Sequence, residues 1–303
     1  MSSIGIIVNP YSKKNKRKPQ FADKLFSLID QNDEIVKTKT LRELEETLLR
    51  FKEKNMDYIG VVGGDGSINL VLEKLIKIYA GESIPVILPL KGGTMNVLAS
   101  HLNIPSSPYR ALKDLKDGHK TTRVLNSLNC NGRIGFIYAD GSINNFLVEF
   151  YRNKSNHIGA IILTVKITLS SIFSTPYSKK LINVFPFSIR ANEASYEKNC
   201  LANIASTIST IPLGIPLFKD VDKHSDEFQF QSITTSPKFL FLKIFHILFA
   251  RQAGQQRYKL NLFTKKVGIS SAAHPIKYTL DGELFEDDEI KLELGKKIEF
   301  ISY

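Results

Sequence analysis

With 303 residues, 43% hydrophobic and 23% charged, the chain has the composition of a globular protein long enough for two domains. Its 41 Lys and Arg against 30 Asp and Glu give a formal net charge of +11, which predicts attraction to polyanions, with nucleic acid and anionic lipid as the candidates. No zinc-finger spacing or RNP-like aromatic strand is present, which excludes the common nucleic-acid modules, and Cys130 and Cys200 form neither a disulfide framework nor a zinc site.

The apolar run Ile4 to Val8 is too short for a signal-peptide core and reads as a strand stopped by Asn9-Pro10. The stretch FADKLFSLID, with Phe21, Leu25, Leu28 and Ile29 at helical spacing, predicts a helix. So does LRELEETLLRFKEK, with Leu41, Leu44, Leu48 and Phe51. The strand YIGVV, the helix INLVLEKLIKIYA, the strand IPVILPL and the helix MNVLASHL follow. This alternation predicts an α/β domain with a parallel sheet, in which ligands bind beyond the carboxyl ends of the strands.

After RALKDLKDGHK the segments become short and apolar, with Asn, Gly, Pro and Ser between them: RIGFIYA, LINVFPFSIRA, CLANIAS, FQFQSI, RYKLNLF, VGISSA, IKYTL and IKLEL. They predict a mostly antiparallel β domain with one or two helices inserted around 158–173 and 238–252. The expected domains are 1–122, α/β, and 123–303, a β-sandwich, with the last residues able to pack back on the first domain. The two most apolar segments, IGAIILTVKITLSSIF and FLFLKIFHILFA, fall short of the roughly 20 residues of a spanning helix, and each contains a lysine. No membrane crossing is expected. The second segment reads as a core helix or as a membrane-docking one, with Lys243 and His246 on its narrow polar face.

Two turns carry the chemistry. In Tyr58 to Leu75, YIGVVGGDGSINLVLEKL, a buried strand runs into Gly63, Gly64, Asp65 and Gly66 just before a helix. Glycines there let a phosphate approach backbone N–H groups, and the helix N-terminus adds its dipole. A plain tight turn is the structural alternative. Asp65 would repel a phosphate directly and makes sense with Mg²⁺ between them. Some thirty residues on, PLKGGTMNVLAS repeats the arrangement with Thr94 and Asn96 at a helix mouth, where Thr94 alone would be an ordinary N-cap. Two such turns at one end of one sheet point to a nucleotide site. The basic run Lys13 to Lys18 reads either as a solvated loop or as a source of cations for phosphates or lipid headgroups.

Taken together, Gly63-Gly64-Asp65-Gly66-Ser67-Ile68-Asn69, Gly93-Thr94-Met95-Asn96-Val97-Leu98-Ala99 and Asp281-Gly282-Glu283 resemble the diacylglycerol kinase catalytic family. The likeness is greatest to its soluble bacterial lipid kinases and extends to sphingosine kinases. The stretches IIVNPYS, LNIP, NCNGRIGF and LDGE occur in the expected order along nearly the whole chain. The first motif alone is also similar to those of 6-phosphofructokinases and NAD kinases.

The resemblance implies an α/β domain and a β-sandwich with ATP between them. It implies Asn9 in the first nucleotide turn and Thr38 in contact with ATP. Gly63, Gly64, Asp65, Gly66, Ser67 and Asn69 would lie around the phosphates, with Thr94 and Asn96 closing the site. Glu283 would be the general base, although Asp-Gly between two strands is also a common hairpin turn. Mg²⁺ would involve Asp65, and a structural Mg²⁺ would fall near Asp226. The sequence departs from the family at Val97, where Asp is common, at Asn126, where Asp is expected, and around Asp226, where the usual Asp-Gly is missing.

The resulting expectation is a cytosolic lipid kinase, peripheral at an anionic membrane surface. It would pass the γ-phosphoryl group of ATP to a lipid hydroxyl, most simply that of diacylglycerol. A kinase for a sphingoid base or phosphatidylglycerol, and a catalytically impaired lipid- or nucleotide-binding protein on the same fold, are the rivals. No nucleic-acid partner is expected, and a homodimer is left open.

Overall fold

The structure, a computed structural model, describes residues 3–17, 20, 22–152, 175–176, 181–211, 216–234, 254–255, 259–272 and 275–303. The helices expected around 158–173 and 238–252 lie outside the described residues. The chain forms two compact units, Met1–Leu125 with Lys296–Tyr303, and Asn126–Gly295. The sequence expectation drew the border at Thr122.

In the first unit, Ile4–Val8 (β1), Glu34–Lys37 (β2), Tyr58–Gly63 (β3) and Val86–Lys91 (β4) make a parallel sheet in the order β2-β1-β3-β4. All five residues of β1 are buried, as a strand covered on both faces requires. The helices are Lys13–Arg17 (α1), Leu41–Glu53 (α2), Asp65–Ile78 (α3), Val97–His101 (α4) and Pro108–Lys116 (α5). Thr40 caps α2 by accepting the Glu43 N–H at 3.1 Å, and Leu44, Leu48 and Phe51 form its buried stripe. Leu41, expected in that stripe, is the first helical residue and is 56% exposed.

Three sequence expectations need correction here. Over FADKLFSLID the described residues form a short 3₁₀ helix, Asp23–Leu28, which buries Leu25 and leaves Phe26 exposed. The strand β2 went unread because it is an edge strand with no fully buried residue, so its four residues show no apolar run. The basic run, open to reading as a loop, instead forms α1 over Lys13–Arg17.

The second unit takes up the rest of Thr121–Cys130 (β5), then Arg133–Gly135 (β6), Ile137–Asp140 (β7), Ser142–Arg152 (α6), Phe185–Ala191 (β8), Ala194–Cys200 (β9), Ala202–Ser206 (β10) and Phe228–Ile233 (β11). Gly254–Gln255 (β12), Lys259–Thr264 (β13), Lys266–Ser271 (β14), Ile276–Leu280 (β15), Glu283–Asp287 (β16) and the start of Ile290–Ser302 (β17) complete it. One antiparallel sheet runs β12-β13-β11-β10-β7-β15-β16, and β9-β8-β14-β17 make the other. Their inner faces share one core that includes Tyr138, Phe228, Phe230 and Tyr278 from the first sheet and Ile189, Val267, Ile269 and Leu292 from the second. That is a β-sandwich. The end of β17 lies in the first unit, where Phe300 pairs with Ile87 in parallel register.

Candidate functional site

The register of the parallel sheet brings its carboxyl ends level. Val8 pairs with Lys37 on one side and Val62 on the other, and Gly63 pairs with Lys91. The residues that follow these strands therefore line one edge of the first unit: Thr38, Asn9, Gly63-Gly64 and Gly92-Gly93. Backbone bonds lace the row together. Thr38 donates its N–H to Val8 at 3.1 Å, Asn9 to Val62 at 3.1 Å, and Gly92 to Gly63 at 2.8 Å.

The glycines have a packing reason. Gly64 is extended, with φ −93° and ψ −176°, so its backbone does not demand glycine. A Cβ on it, however, would lie 3.2 Å from the Cα of Gly93, and a Cβ on Gly92 would lie 3.0 Å from the Gly63 nitrogen. The two turns meet backbone to backbone, a contact only bare glycines permit. Beneath them, a Cβ on Gly63 would fall 2.4 Å from that of Ser67. Ser67 Oγ in turn accepts a hydrogen bond from Asn9 Nδ2 at 2.9 Å.

Asn96 shapes the second turn. It sits in the left-handed region at φ 49°, accepts the Gly93 N–H at 2.9 Å and returns its own Nδ2 to the Gly93 carbonyl at 3.1 Å. The N-cap of α4 is therefore Asn96 and not Thr94, which lies half-buried within the turn.

Asp65 joins the two turns. Only 8% exposed, it accepts the Leu98 N–H at 3.2 Å. Burial pushes its carboxyl above the usual range, opposed by the amides of Val97, Leu98 and Asn96 and by its own. Gly66, Ser67 and the buried Asn69 occupy the first turns of α3 behind it.

Two lysines complete this edge. Lys14, on α1, donates its backbone N–H to the Gly92 carbonyl and its Nζ to the Lys91 carbonyl, both at 3.0 Å. Burial holds the Lys14 ammonium below the ordinary lysine range, and Lys91 is lowered by burial and then by the charge of Lys14. Like charges held together beside a turn of packed glycines favour an anion there. The sequence reading did not single out Lys91. Its place directly between a buried strand and the glycines was the available signal.

Glu283 and Asp226 belong to the second unit. Glu283 opens β16 opposite Leu280, across a two-residue turn in which Asp281 and Gly282 have φ 49° and 91°. Its side chain is exposed and makes no hydrogen bond or ion pair with the described residues. Asp281, quoted in the motif but given no role, anchors this turn: its carboxylate accepts the N–H groups of Phe136 at 2.9 Å and Ile137 at 2.8 Å. Tyr151 Oη donates to the Gly282 carbonyl at 2.7 Å.

Asp226 is exposed in the loop before β11. Asn126 Nδ2 donates to the neighbouring Ser225 carbonyl, and the buried Asn126 Oδ1 has no partner among the described residues. Among the described residues, no group of three or more His, Cys, Asp or Glu side chains is placed to hold a metal ion. With Asp65 turned onto backbone amides, the donor set does not fit a protein-held Mg²⁺.

Residues 3–127 match the family model described as the diacylglycerol kinase catalytic domain. The resemblance carried by the two glycine motifs is borne out over that stretch. No curated protein matches the chain. Among solved structures, one described as a diacylglycerol kinase from Bacillus anthracis str. Sterne has a TM-score of 0.68 at 17% identity, covering 100% of this chain and 97% of that one. Two more from the same strain, described provisionally as diacylglycerol kinases, have TM-scores of 0.71 and 0.72, both at 16% identity and with the same coverage. At such identities the likeness is one of fold. Among the described residues no helix is long and apolar enough to cross a membrane.

Proposed function

We propose that the protein is a lipid kinase that transfers the γ-phosphoryl group of ATP to a lipid hydroxyl, most simply that of diacylglycerol. The observation that carries this reading is the pair of glycine turns packed backbone to backbone at the carboxyl ends of adjacent parallel strands, beside Lys14 and Lys91. Backbone amides and nearby ammonium groups are the means by which a protein positions phosphates and spreads their charge, and phosphoryl transfer needs little more. The family match over residues 3–127 and the fold shared with the Bacillus structures support the same class of reaction.

In this reading Asn9, Thr38, Gly63, Gly64, Gly66, Ser67, Asn69, Thr94 and Asn96 form or support the nucleotide edge. Asp65 sets the distance between its two turns. Because the donor set does not cage a metal, Mg²⁺ is assigned to the substrate, arriving as the ATP complex. Glu283 takes the proton from the acceptor hydroxyl, whose oxygen bonds the γ-phosphorus as ADP leaves. Its exposed position at the head of a fixed hairpin suits a base that must meet a substrate presented from outside. The +11 charge favours an anionic membrane surface as the place of that meeting.

The test is incubation of the protein with radiolabelled ATP and a total lipid extract, followed by identification of the labelled species. Labelled phosphatidic acid is the expected product. A labelled sphingoid-base phosphate or phosphatidylglycerol phosphate would keep the chemistry and change the acceptor. Saturable ATP binding with no labelled lipid would favour a binding protein on a kinase fold.

A further inference from the structure

The second unit carries a cleft of about 540 Å³ on the solvent side of the β9-β8-β14-β17 sheet, and none of its lining residues is among those assigned above. Its centre is set by register. Gly268 on β14 pairs with Arg190 on β8 and with Lys291 on β17, so a glycine lies between two cations across three adjacent strands. The Arg190 and Lys291 backbones are two strand spacings apart, about 10 Å, and both long side chains can bend in from opposite sides over the glycine. Ser270, two residues along β14 from Gly268, presents a hydroxyl to the same cleft.

Gly268 has no reason in the fold. Its φ is not in the left-handed region, and a Cβ added there would meet only the Arg190 Cβ, at an ordinary 3.9 Å. A glycine inside a strand weakens it unless another group must come close to the backbone. No chain segment among the described residues does so. What the glycine leaves is a bare floor between two cations.

Neither Arg190 nor Lys291 has a side-chain hydrogen bond or ion pair with the described residues, and both are exposed. Lys266, the third cation of the cleft, is paired with Glu293 at 2.7 Å. Glu193 and Glu289 also line it, so the local charge is nearly balanced. A balanced rim gives little long-range pull on a polyphosphate but leaves room for one compact anion held by both cations and the Ser270 hydroxyl.

We propose that the cleft centred on Gly268 is a binding site for a single phosphate group, held between Arg190 and Lys291 and separate from the nucleotide edge. A free phosphate ester and a phospholipid headgroup present the same chemistry. The chain contains no tryptophan, so Ser195→Trp, on the exposed face of β9 opposite Arg190, introduces a sole indole that reports on this cleft alone.

The full chain carrying this reporter is titrated with inorganic phosphate, with phosphatidylglycerol vesicles and with neutral phosphatidylcholine vesicles. The same titrations are made with Arg190→Gln plus Lys291→Gln, and with Gly268→Val, which fills the floor. Circular dichroism checks that each variant folds. A saturable change with inorganic phosphate, weakened at least tenfold in both variants, supports the proposal with a soluble ester as ligand. A change seen only with phosphatidylglycerol vesicles, and lost in both variants, supports it with a lipid headgroup as ligand. No saturable change with either, or one that the variants leave intact, overturns it. So does a response that follows protein concentration and sediments as a dimer, because a second copy would then fill the cleft.

Discussion

Gly93 lies so close to Gly64 that a Cβ placed on it would stand 2.4 Å from the Gly64 Cα. Backbone cannot give way as a flexible side chain can. Gly93→Ala should therefore force the turns apart, costing about 1–3 kcal/mol of stability, as overpacking does. It should also weaken ATP binding, which depends on the spacing of those turns. Gly268→Ala, with an ordinary 3.9 Å contact, is the control and should change stability by less than about 0.5 kcal/mol. Urea unfolding of both variants checks this, and equal midpoints would remove the close approach from the account.

Asp65 separates a structural role from an electrostatic one. Its carboxylate accepts the Leu98 N–H from a buried position. Asp65→Ala leaves that amide without its acceptor and should cost about 1–3 kcal/mol. Asp65→Asn keeps an acceptor and should retain more stability and more turnover than Ala. If both variants lose turnover equally while Asn keeps its stability, the negative charge itself serves the reaction, and the metal role suggested by the sequence returns.

Asp140 gives a prediction in pH. Fully buried, it accepts from Tyr138 Oη at 2.9 Å and from the Asn203 backbone at 2.8 Å, yet burial raises its pKa to about 6 from the ordinary 3.8. Between those values the folded protein holds a proton that the unfolded chain has released. The contribution of Asp140 to stability is thus greatest at low pH and falls as pH rises through about 6. Asp140→Asn has no such dependence. Its stability relative to wild type should climb across that window, whatever constant offset the lost hydrogen bonds impose. Parallel urea midpoints at each end of the window read the difference, and a flat difference would show that Asp140 is not the titrating group.

The edge of the first unit was legible in the sequence because its signals are local. Buried strands run straight into glycines, and a helix pattern restarts at once, so Gly63 to Asn69 and Gly93 to Asn96 can be read one after another. What could not be read is mutual. That Gly64 faces Gly93, that Asp65 reaches the amide of Leu98, and that Lys91 stands beside Lys14 are relations between segments about thirty or more residues apart. The missed elements have the same explanation. The strand β2 is a half-exposed edge, and β9, with only Cys200 fully buried, alternates polar and half-buried residues without an apolar run. Likewise, nothing local in the sequence assigns a partner to Asp281, whose carboxylate binds amides some 144 positions earlier in the chain.

Glu283 is where the hairpin and the catalytic explanations of one residue part. As a hairpin residue, exposed and without a partner among the described residues, it contributes little to the fold. Glu283→Gln should then change stability by less than about 0.5 kcal/mol, since the turn is fixed by Asp281 and by the φ values of Asp281 and Gly282. As the base, the same change removes the acceptor for the hydroxyl proton. It should cost roughly 10²–10⁴ in kcat, with little change in the KM for ATP. Asp281→Ala is the companion variant. It frees the amides of Phe136 and Ile137 and loosens the turn, so it should lower both stability and kcat and leave the pH dependence of the residual activity that of wild type. A folded Glu283→Gln protein with undiminished kcat on the identified lipid would sink the assignment of the base. The weight would then shift to a protein that binds lipid and nucleotide without joining them.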